Sequence, residues 1–176
     1  MGRIDWHRET SKRFLDICLV ILSIPFWVPT VLLLGLLVKL KDGGPLLYRR
    51  KVVGRGGEFH VSKLRTMRVD AELWIAEHRG LLPKYQESFK LKNDPRITRL
   101  GQILRKYSLD ELPQLFNVLK GQMSLVGPRR VSPPELEKCR PRQAILLTVR
   151  PGITGYCPVS DRQEVSYEER VKMDVY

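Results

Sequence analysis

The chain has 176 residues, which is the size of one domain built around a single hydrophobic core. Lysine and arginine number 31 against 19 aspartate and glutamate residues, so the formal net charge is +12 and anionic partners are expected. Hydrophobic residues make up 43% of the chain, which argues against intrinsic disorder. The three cysteines have no CxxC spacing and the three histidines are scattered, so neither a disulfide scaffold nor a zinc site is predicted.

The first predicted element is an apolar segment, Ile17 to Val38, that contains no charged side chain. As a straight helix it would be about 33 Å long, enough to span a hydrocarbon core of about 30 Å. Pro25 and Pro29 lie in its middle, and each removes a helical hydrogen bond. A kink or break is therefore expected near the prolines.

Basic residues flank this segment on both sides: Arg3, Arg8, Lys12 and Arg13 before it, and Lys39, Lys41, Arg49, Arg50, Lys51 and Arg55 after it. Short basic flanks stay on the cytoplasmic side of a membrane, so both ends are drawn to the same face. A re-entrant helical hairpin, broken near the prolines, satisfies both features. A single-pass helix with a proline kink and a buried core helix are the alternatives that these residues leave open.

Two short runs of β-branched and aromatic residues come next, Leu46 to Val53 and Glu58 to Leu64, joined by Gly-Arg-Gly-Gly at 54–57. This pattern predicts a β-hairpin. The glycine cluster favours a tight turn, and a phosphate cradle is the alternative. Beyond the hairpin, helical spacing of apolar residues predicts helices over Val69–Arg79, Leu81–Lys90 and Ile97–Tyr107.

The stretch from Ser108 to Gly121 reads SLDELPQLFNVLKG. Ser108 and Glu111 have the spacing of a capping box, and Gly121 fits a helix stop, so one helix from Leu109 to Lys120 is predicted. Asp110 and Glu111 would then lie in its first turn. There they could simply complement the helix dipole, which is the alternative to a catalytic role.

The residues around this carboxylate pair favour the catalytic role. Gly127, Pro128, Arg129 and Arg130 form a cationic turn just after the predicted helix. Cations combined with two adjacent carboxylates suit phosphate chemistry with Mg²⁺, which prefers oxygen ligands. A carboxylate at a helix N-terminus is also held ionised, and is thus available as a nucleophile.

Motifs along nearly the whole chain resemble the bacterial sugar transferases, the monotopic phosphoglycosyl transferases that start glycan assembly. The resemblance is carried by Lys12, Arg13 and Asp16, the proline-broken apolar segment, KLRTM at 63–67, DPRITRLG at 94–101, SLDELPQLFNVLKGQMSLVGPR at 108–129, RPGITG at 150–155 and SYEERV at 166–171. It implies an α+β fold, with a re-entrant membrane helix over residues 1–45 and a small, mostly helical catalytic domain with a β-hairpin over residues 46–176.

The resemblance implies a reaction in two steps. A carboxylate matching Asp110 attacks the β-phosphate of a UDP-sugar and releases UMP, and polyprenyl (undecaprenyl) phosphate then takes the phosphosugar. Asp110 would be nucleophile and Mg²⁺ contact, and Glu111 would be its partner in a dyad. The implied substrate and phosphate contacts are Lys63, Arg65, Arg105, Arg129 and, on the nucleotide side, Arg162.

The family's membrane helix is broken at a Ser-Pro pair, which by counting from Asp16 falls on Val28 and Pro29, where the serine is missing. Ser23 and Pro25, one turn earlier, are the alternative position for the break. PVSDR at 158–162 also departs from the family pattern around Arg162. The spacer over 70–93 and SYEERV resemble the branch that transfers hexose-1-phosphate, which favours galactose or glucose.

These expectations place the protein at the bacterial inner membrane, with its catalytic domain on the cytoplasmic face and anionic lipid around it. Relatives continue past the position of Tyr176, and larger ones carry additional N-terminal helices, so a short member or a fragment of a longer protein is expected. The competing function is a membrane-anchored basic module that binds nucleic acid or anionic lipid without chemistry. Nucleic acid is not an expected partner, because aromatic residues do not alternate with the basic ones. The sequence specifies no oligomeric state.

Overall fold

The computed structural model describes residues 6–78, 80, 91, 94–138 and 147–155. Two long helices begin the chain, α1 over Trp6–Leu22 and α2 over Ile24–Asp42, and an antiparallel hairpin follows, with β1 over Leu47–Gly54 and β2 over Gly57–Leu64. The remaining described elements are helices α3 (Ala71–Glu77), α4 (Arg99–Lys106), a 3₁₀ helix (Leu109–Gln114), α5 (Leu115–Leu119) and α6 (Pro133–Lys138), and strands β3 (Ser124–Val126) and β4 (Gly152–Thr154). The described fold is therefore α+β, and the predicted hairpin is confirmed.

The break in the apolar segment lies at Ser23, the single residue between α1 and α2. The hydroxyl of Ser23 donates to the carbonyl oxygens of Leu19 (2.8 Å) and Val20 (3.0 Å), and the indole N–H of Trp27 also donates to Val20 (3.3 Å). Pro25 lies in the first turn of α2, where its missing N–H costs little. The break thus satisfies carbonyls at the end of α1 from within the chain.

The position Val28–Pro29 was the wrong place for the break, because Pro29 lies inside α2. A proline inside a helix leaves only one carbonyl without its donor, and the helix can continue past it. At Ser23, by contrast, the carbonyl of Val20 accepts from the Ser23 hydroxyl and from the Trp27 indole, so α1 can end there. The alternative position at Ser23 and Pro25 is the one that the structure has.

Both long helices pack against the rest of the protein. Val20 of α1 and Trp27 of α2 share one buried cluster with Val52, Phe59 and Val61 of the hairpin, Val118 of α5 and Met123 just before β3. Val38, near the end of α2, packs in a second cluster with Leu64 and Leu104. The opposite faces of α1 and α2 expose large apolar side chains, among them Phe14, Leu15, Leu22, Phe26, Leu32, Leu33 and Leu40.

Among the described residues, one helix is long and apolar enough to span a membrane, over Ile24–Lys41. Only 17% of that stretch is buried inside the protein. The exposed remainder is a surface that water solvates poorly, since a soluble protein rarely exposes contiguous apolar patches of this extent.

The predicted helix from Leu109 to Lys120 is divided into the 3₁₀ helix and α5. The capping box is wrong: Ser108 has a φ of 55°, in the left-handed region, and its side chain makes no capping hydrogen bond. Glu111 turns to cations of other elements instead, as described below. The predicted stop at Gly121 is confirmed, because Gly121 has a φ of 81° and its N–H bonds to the carbonyl of Val118.

The other predicted helices have mixed outcomes. Helix α3 is shorter than the predicted Val69–Arg79, and α4 lies within the predicted Ile97–Tyr107. Thr98 caps α4, since its hydroxyl accepts a hydrogen bond from the N–H of Gly101 (2.9 Å). The predicted helix over Leu81–Lys90 lies outside the described residues.

Strands β3 and β4 form a short parallel pair that joins two of the sequence motifs. Gly127 follows β3, and its N–H bonds to the carbonyl of Thr154 (2.9 Å). A Cβ on either Gly127 or Gly152 would overlap with the backbone of the other segment. Glycine is needed at both positions because the two backbones approach this closely.

Candidate active site

Asp110 and Glu111 lie in the 3₁₀ helix, which packs against β2 and α4. The 3₁₀ helix begins directly after Ser108, where the chain reverses out of α4. Lys63, near the end of β2, and Arg105, in the last turn of α4, thereby come close to the two carboxylates. The site is thus assembled from β2, α4 and the 3₁₀ helix.

Glu111 is the more strongly bound of the two carboxylates. Its Oε1 accepts a hydrogen bond from Nζ of Lys63 at 2.5 Å and another from the guanidinium of Arg130. Burial raises the pKa of Glu111, but the charges and hydrogen bonds of Arg130 and Lys63 outweigh burial, so the pKa lies below its ordinary value. Glu111 is therefore ionised and held in one orientation at neutral pH.

Asp110 has a different environment, although it is only 6% exposed. Its Oδ2 lies 3.9 Å from Nζ of Lys63, beyond hydrogen-bond distance. Burial raises the pKa of Asp110, and the neighbouring charge of Glu111 adds to this, whereas Lys63 and Arg105 act in the opposite direction. The start of the six-residue 3₁₀ helix does not offset this desolvation, so the pKa of Asp110 lies above its ordinary value.

Lys63 connects the two carboxylates. Burial and the charge of Arg130 lower the pKa of Lys63, while Glu111 and Asp110 oppose that shift. The ammonium is therefore held among three charged groups of mixed sign, Arg130, Glu111 and Asp110. An anion that approaches Asp110 would find both Lys63 and Arg105 within electrostatic reach.

Arg105 is held in place by a buried framework. Its Nε donates to the hydroxyl of Thr66 at 2.9 Å. Beneath it, Arg96 and Asp94 form a bidentate ion pair, with Nε–Oδ1 and Nη2–Oδ2 distances of 2.9 and 2.7 Å. Ion pairs of this geometry are both strong and directional. The KLRTM and DPRITRLG motifs thus meet at the base of the site.

The segment after β3 brings Arg130 to Glu111. Val131 accepts a hydrogen bond from the N–H of Val53 at 2.9 Å, which attaches this segment to β1. Glu135 then binds Arg50 of β1 at 2.8 Å and the hydroxyl of Ser132 at 2.7 Å. On the other side of Arg130, Arg129 forms a β-bridge with Gly152, so the backbone of Arg130 is held from both sides.

The predicted site residues divide into three groups. Lys63 and Arg105 lie with Asp110 and Glu111. Arg65 is buried with its guanidinium beside Gly44, under the link between α2 and β1, and Arg129 lies within electrostatic reach of Glu135. Arg162 lies outside the described residues.

Arg130 is the residue that sequence reasoning did not assign. The signal was present, since the cationic turn contains two adjacent arginines. Which of the two faces the carboxylates depends on the backbone: Arg129 is paired with Gly152 in a β-bridge, and the following residue points the other way.

The donor set around Asp110 is compatible with Mg²⁺. Proteins bind Mg²⁺ through one or two carboxylates, and water and substrate phosphates complete its shell. Asp110 offers one carboxylate that no cation contacts at hydrogen-bond distance in the described residues. Within the described part of the chain, no group of three or more histidine, cysteine, aspartate or glutamate side chains could hold a metal without substrate.

The fold and this cluster define a protein with a cation-lined carboxylate pair beside a partly exposed apolar helix pair. A sequence profile of the family described as bacterial sugar transferase matches residues 7–176. The chain belongs to the bacterial sugar transferase family, which confirms the resemblance that its motifs indicated.

Curated relatives agree with the family match. The chain is 46% identical over 168 residues to an uncharacterized sugar transferase of Haemophilus influenzae, a match that covers 93% of this chain and 36% of that protein. It is 44% identical over 168 residues to the undecaprenyl-phosphate galactose phosphotransferase of Salmonella typhimurium, covering 93% of this chain and 35% of the relative. With the exopolysaccharide production protein ExoY of Sinorhizobium fredii it shares 41% identity over 171 residues, covering 94% and 76% of the two chains.

The chain therefore spans about a third of the length of the first two relatives and about three quarters of the third.

Proposed function

We propose that this protein transfers a sugar-1-phosphate from a UDP-sugar to polyprenyl (undecaprenyl) phosphate and releases UMP. Membership of the bacterial sugar transferase family supports the reaction class. A relative named undecaprenyl-phosphate galactose phosphotransferase, and another named UDP-galactose-lipid carrier transferase, support the lipid acceptor and a hexose donor. Galactose is the sugar that these names favour.

The observation that carries the proposal is that the two carboxylates, Asp110 and Glu111, differ in their contacts with cations. Lys63 and Arg130 both bind Oε1 of Glu111, and their charges lower its basicity, which makes Glu111 the weaker nucleophile of the two. Asp110 is buried, has a raised pKa and is not within hydrogen-bond distance of Lys63. A carboxylate that is desolvated but not tied to a cation keeps its nucleophilic oxygen available. Asp110 is thus assigned as the nucleophile and Glu111 as the group that positions Lys63.

The chemistry then proceeds in two displacements. An oxygen of Asp110 bonds to the β-phosphorus of the UDP-sugar, and the bond from that phosphorus to the bridging oxygen breaks, so UMP leaves with that oxygen. The phosphosugar is then held as an acyl phosphate on Asp110. An oxygen of the polyprenyl phosphate attacks the same phosphorus, the bond to Asp110 breaks, and the carboxylate is regenerated.

Lys63 and Arg105 supply the positive charge that both displacements need. Each step brings an anion to an already anionic phosphate, so cations placed in advance lower the barrier. Asp110 would also hold Mg²⁺ together with the diphosphate, and the bound ion would neutralise the charge that develops on the leaving phosphate. Arg129 and Arg162 remain predicted contacts of the phosphate and the nucleotide.

We place the helix pair in the cytoplasmic leaflet as a re-entrant element, with the catalytic domain on the cytoplasmic face of the inner membrane. Glu9 of α1 binds Arg150 at 3.0 Å, and Val38 of α2 packs with Leu64 and Leu104. Both outer ends of the helix pair therefore contact the same domain. A hydrocarbon core of about 30 Å would instead separate the two ends of a spanning helix.

The proposal is tested by mass spectrometry of the purified full chain incubated with UDP-galactose alone. We expect a hexose-phosphate adduct on the peptide that contains Asp110, with one UMP released per adduct. In Asp110→Asn the adduct should be absent, and turnover with polyprenyl phosphate should fall by about three or more orders of magnitude. The matched control is Asp70→Asn, because Asp70 is a surface aspartate paired with Arg68. An adduct on another residue, or turnover that survives in Asp110→Asn, would contradict the assignment.

A further inference from the structure

A cavity of about 370 Å³ lies at the turn of the β-hairpin, and we call it the hairpin-turn cavity. It is lined by residues 55–59, residues 120–122 and Arg150. Lys63 of the candidate active site lies six residues further along β2 than Gly57, which is about 20 Å in an extended strand. The cavity is therefore separate from the carboxylate pair.

The lining carries more positive than negative charge. Its cations are Arg55, Lys120 and Arg150, and its one acidic residue is Glu58. Glu58 is already paired with Lys51 at 2.8 Å, outside the lining. A further carboxylate, Glu9 of α1, is shared by Arg55 and Arg150. With Glu58 neutralised by Lys51, the three cations of the lining face one carboxylate, Glu9, and an anion in the cavity would improve the charge balance.

Two arginines on the α1 side of the cavity, Arg150 and Arg13, are held by hydrogen bonds to backbone carbonyls. Arg150 donates through Nε to the carbonyl of Gly121 at 2.9 Å. Arg13 of α1 donates to the carbonyls of Val118 and Leu119 at 2.6 and 3.1 Å, which holds its guanidinium beside the same turn. Burial lowers the pKa of Arg13, and the charge of Arg150 lowers it further, so the two guanidinium groups repel each other. A bound anion would relieve this repulsion.

The cavity lies where the exposed apolar surface of α1 begins. Phe14 and Leu15, directly after Arg13, are 71% and 57% exposed. With α1 seated in a membrane as proposed above, the side chains that follow Arg13 enter the acyl region, and Arg13 itself stays at the level of the head groups. At the turn, a Cβ on Gly56 or Gly57 would meet no other atom within 4 Å, so the backbone is open to a ligand.

We propose that the hairpin-turn cavity binds the phosphate group of an anionic membrane phospholipid. The chemistry that is recognised is a phosphate ester, bound by Arg55, Lys120 and Arg150 and approached by the glycine backbone of the turn. Free phosphate carries the same chemistry and is the other possible source. The lipid is favoured because the cavity adjoins the apolar surface of α1. This proposal rests on the membrane seating under the proposed function, but not on the reaction itself.

The test is NMR of the full chain, labelled with ¹⁵N-glycine, in maltoside micelles that contain no phosphate. Short-chain phosphatidylglycerol, short-chain phosphatidylcholine and inorganic phosphate are titrated separately, and the amide signals of Gly56, Gly57 and Gly121 are followed. Saturable shifts are expected with phosphatidylglycerol, with weaker binding of phosphatidylcholine and inorganic phosphate. Equal affinity for inorganic phosphate and phosphatidylglycerol would overturn the lipid assignment, and the absence of shifts with all three would overturn the site.

Variants distinguish binding in the hairpin-turn cavity from general electrostatic attraction of the lipid to the protein. Each cation near an anionic lipid contributes roughly fivefold to binding, so Lys120→Ala should raise the Kd for phosphatidylglycerol about fivefold and Arg55→Ala/Lys120→Ala about 25-fold. The matched control is Arg49→Ala, an exposed arginine of β1 outside the lining, which should change the Kd less than about twofold. An equal effect of the control would overturn the site. Asp110→Asn should keep the glycine shifts while it loses UMP release, so failure of either proposal is recognisable.

Discussion

The carboxylate of Glu111 is bound by the guanidinium of Arg130, nineteen residues further along the chain. This contact joins the 3₁₀ helix to the segment after β3, and it places a second cation on the oxygen that already binds Lys63. Without Arg130, Glu111 and Asp110 would compete for Lys63. The contact therefore leaves Asp110 without a cation at hydrogen-bond distance among the described residues, so its oxygen stays available for nucleophilic attack.

Arg130→Gln should consequently impair the site without unfolding the protein. A charge-assisted hydrogen bond contributes about 1.5–3 kcal/mol, so UMP release should fall about 10–100-fold. The pKa of Glu111 should rise, because burial is then opposed only by Lys63. A ¹³C NMR titration of the glutamate carboxyls measures this rise. Arg130→Lys should recover part of the activity and Arg49→Gln should be neutral; an unchanged Glu111 titration in Arg130→Gln would show that the contact is unimportant.

Asp110→Asn and Asp94→Asn should change stability in opposite directions at pH 7. The pKa of Asp110 is raised by burial in the folded state, so the free energy of unfolding falls as pH rises from 3.8 through that raised value. Asn removes this penalty, and Tm should rise. Burial also raises the pKa of Asp94, but its bonds with Arg96 outweigh this, so its folded pKa is low and its stabilisation is lost as pH falls through that value.

Thermal denaturation between pH 3 and pH 7 measures both effects. Asp94→Asn deprives the buried Arg96 of its carboxylate partner and should cost about 3–5 kcal/mol at pH 7. Asp110→Asn should match the unmodified protein at the lowest pH and exceed it at pH 7. A lower Tm for Asp110→Asn at pH 7 would mean that Asp110 stabilises the fold, contrary to its raised pKa.

Turnover should require Mg²⁺ because Asp110 is the one carboxylate of the pair that is left to hold it. We expect a chelator to abolish UMP release and added Mg²⁺ to restore it, with Ca²⁺ less effective since it prefers more ligands. Tm without substrate should change little on adding Mg²⁺, because a single carboxylate binds it weakly. Full activity in excess chelator would contradict the role of the metal.

Gly101→Ala should destabilise the base of the site. A Cβ at Gly101 would overlap with the carbonyl oxygen of Thr66, which is backbone and cannot move aside easily. Overpacking of this kind costs about 1–3 kcal/mol, and Tm should fall by roughly 2–4 °C for each kcal/mol. UMP release should fall as well, since Thr66 holds Arg105. Gly35→Ala is the control, because its Cβ would make ordinary contact with Leu46 at 3.8 Å; equal losses of Tm would refute the argument.

Local patterns predicted much of this fold. The hairpin follows from β-branched residues on both sides of a glycine turn, and α4 lies within the helix that the apolar spacing predicts over Ile97–Tyr107. The motif SLDELPQLFNVLKG located the carboxylate pair, and the stop at Gly121 agrees with its positive φ. In each case the signal lies within a few residues of the structure that it specifies.

The errors arose where distant residues decide the outcome. The capping box at Ser108 fails because Glu111 binds Lys63 and Arg130, which are 48 and 19 residues away in the chain. Those contacts replace the local bond that the spacing predicted. For the same reason the raised pKa of Asp110 is not visible from its place at a helix start, since burial by β2 and α4 produces it.

The break at Ser23 makes a specific prediction about membrane topology. The serine hydroxyl bonds two carbonyls of α1, and Pro25 removes an N–H from the first turn of α2. Ser23→Ala/Pro25→Ala removes the hydroxyl and restores the N–H, so α1 and α2 should join into one straight helix. That helix would be long enough to cross the bilayer. Pro29→Ala is the matched control, because Pro29 lies inside α2, beyond the break.

Cysteine labelling measures this change in a background that lacks Cys18, Cys139 and Cys157. Ser11→Cys and Lys41→Cys place thiols at exposed positions of α1 and α2, on the two sides of the apolar segment. In the re-entrant form both thiols should react with an impermeant maleimide in inverted vesicles and neither in intact spheroplasts, because both basic flanks stay on the cytoplasmic face. The Ser23/Pro25 double variant should shift towards labelling of position 11 from the periplasmic side and lose activity as Glu9 leaves Arg150, whereas Pro29→Ala should not. If position 11 is labelled in spheroplasts without the double substitution, the segment crosses the membrane and the re-entrant arrangement is wrong.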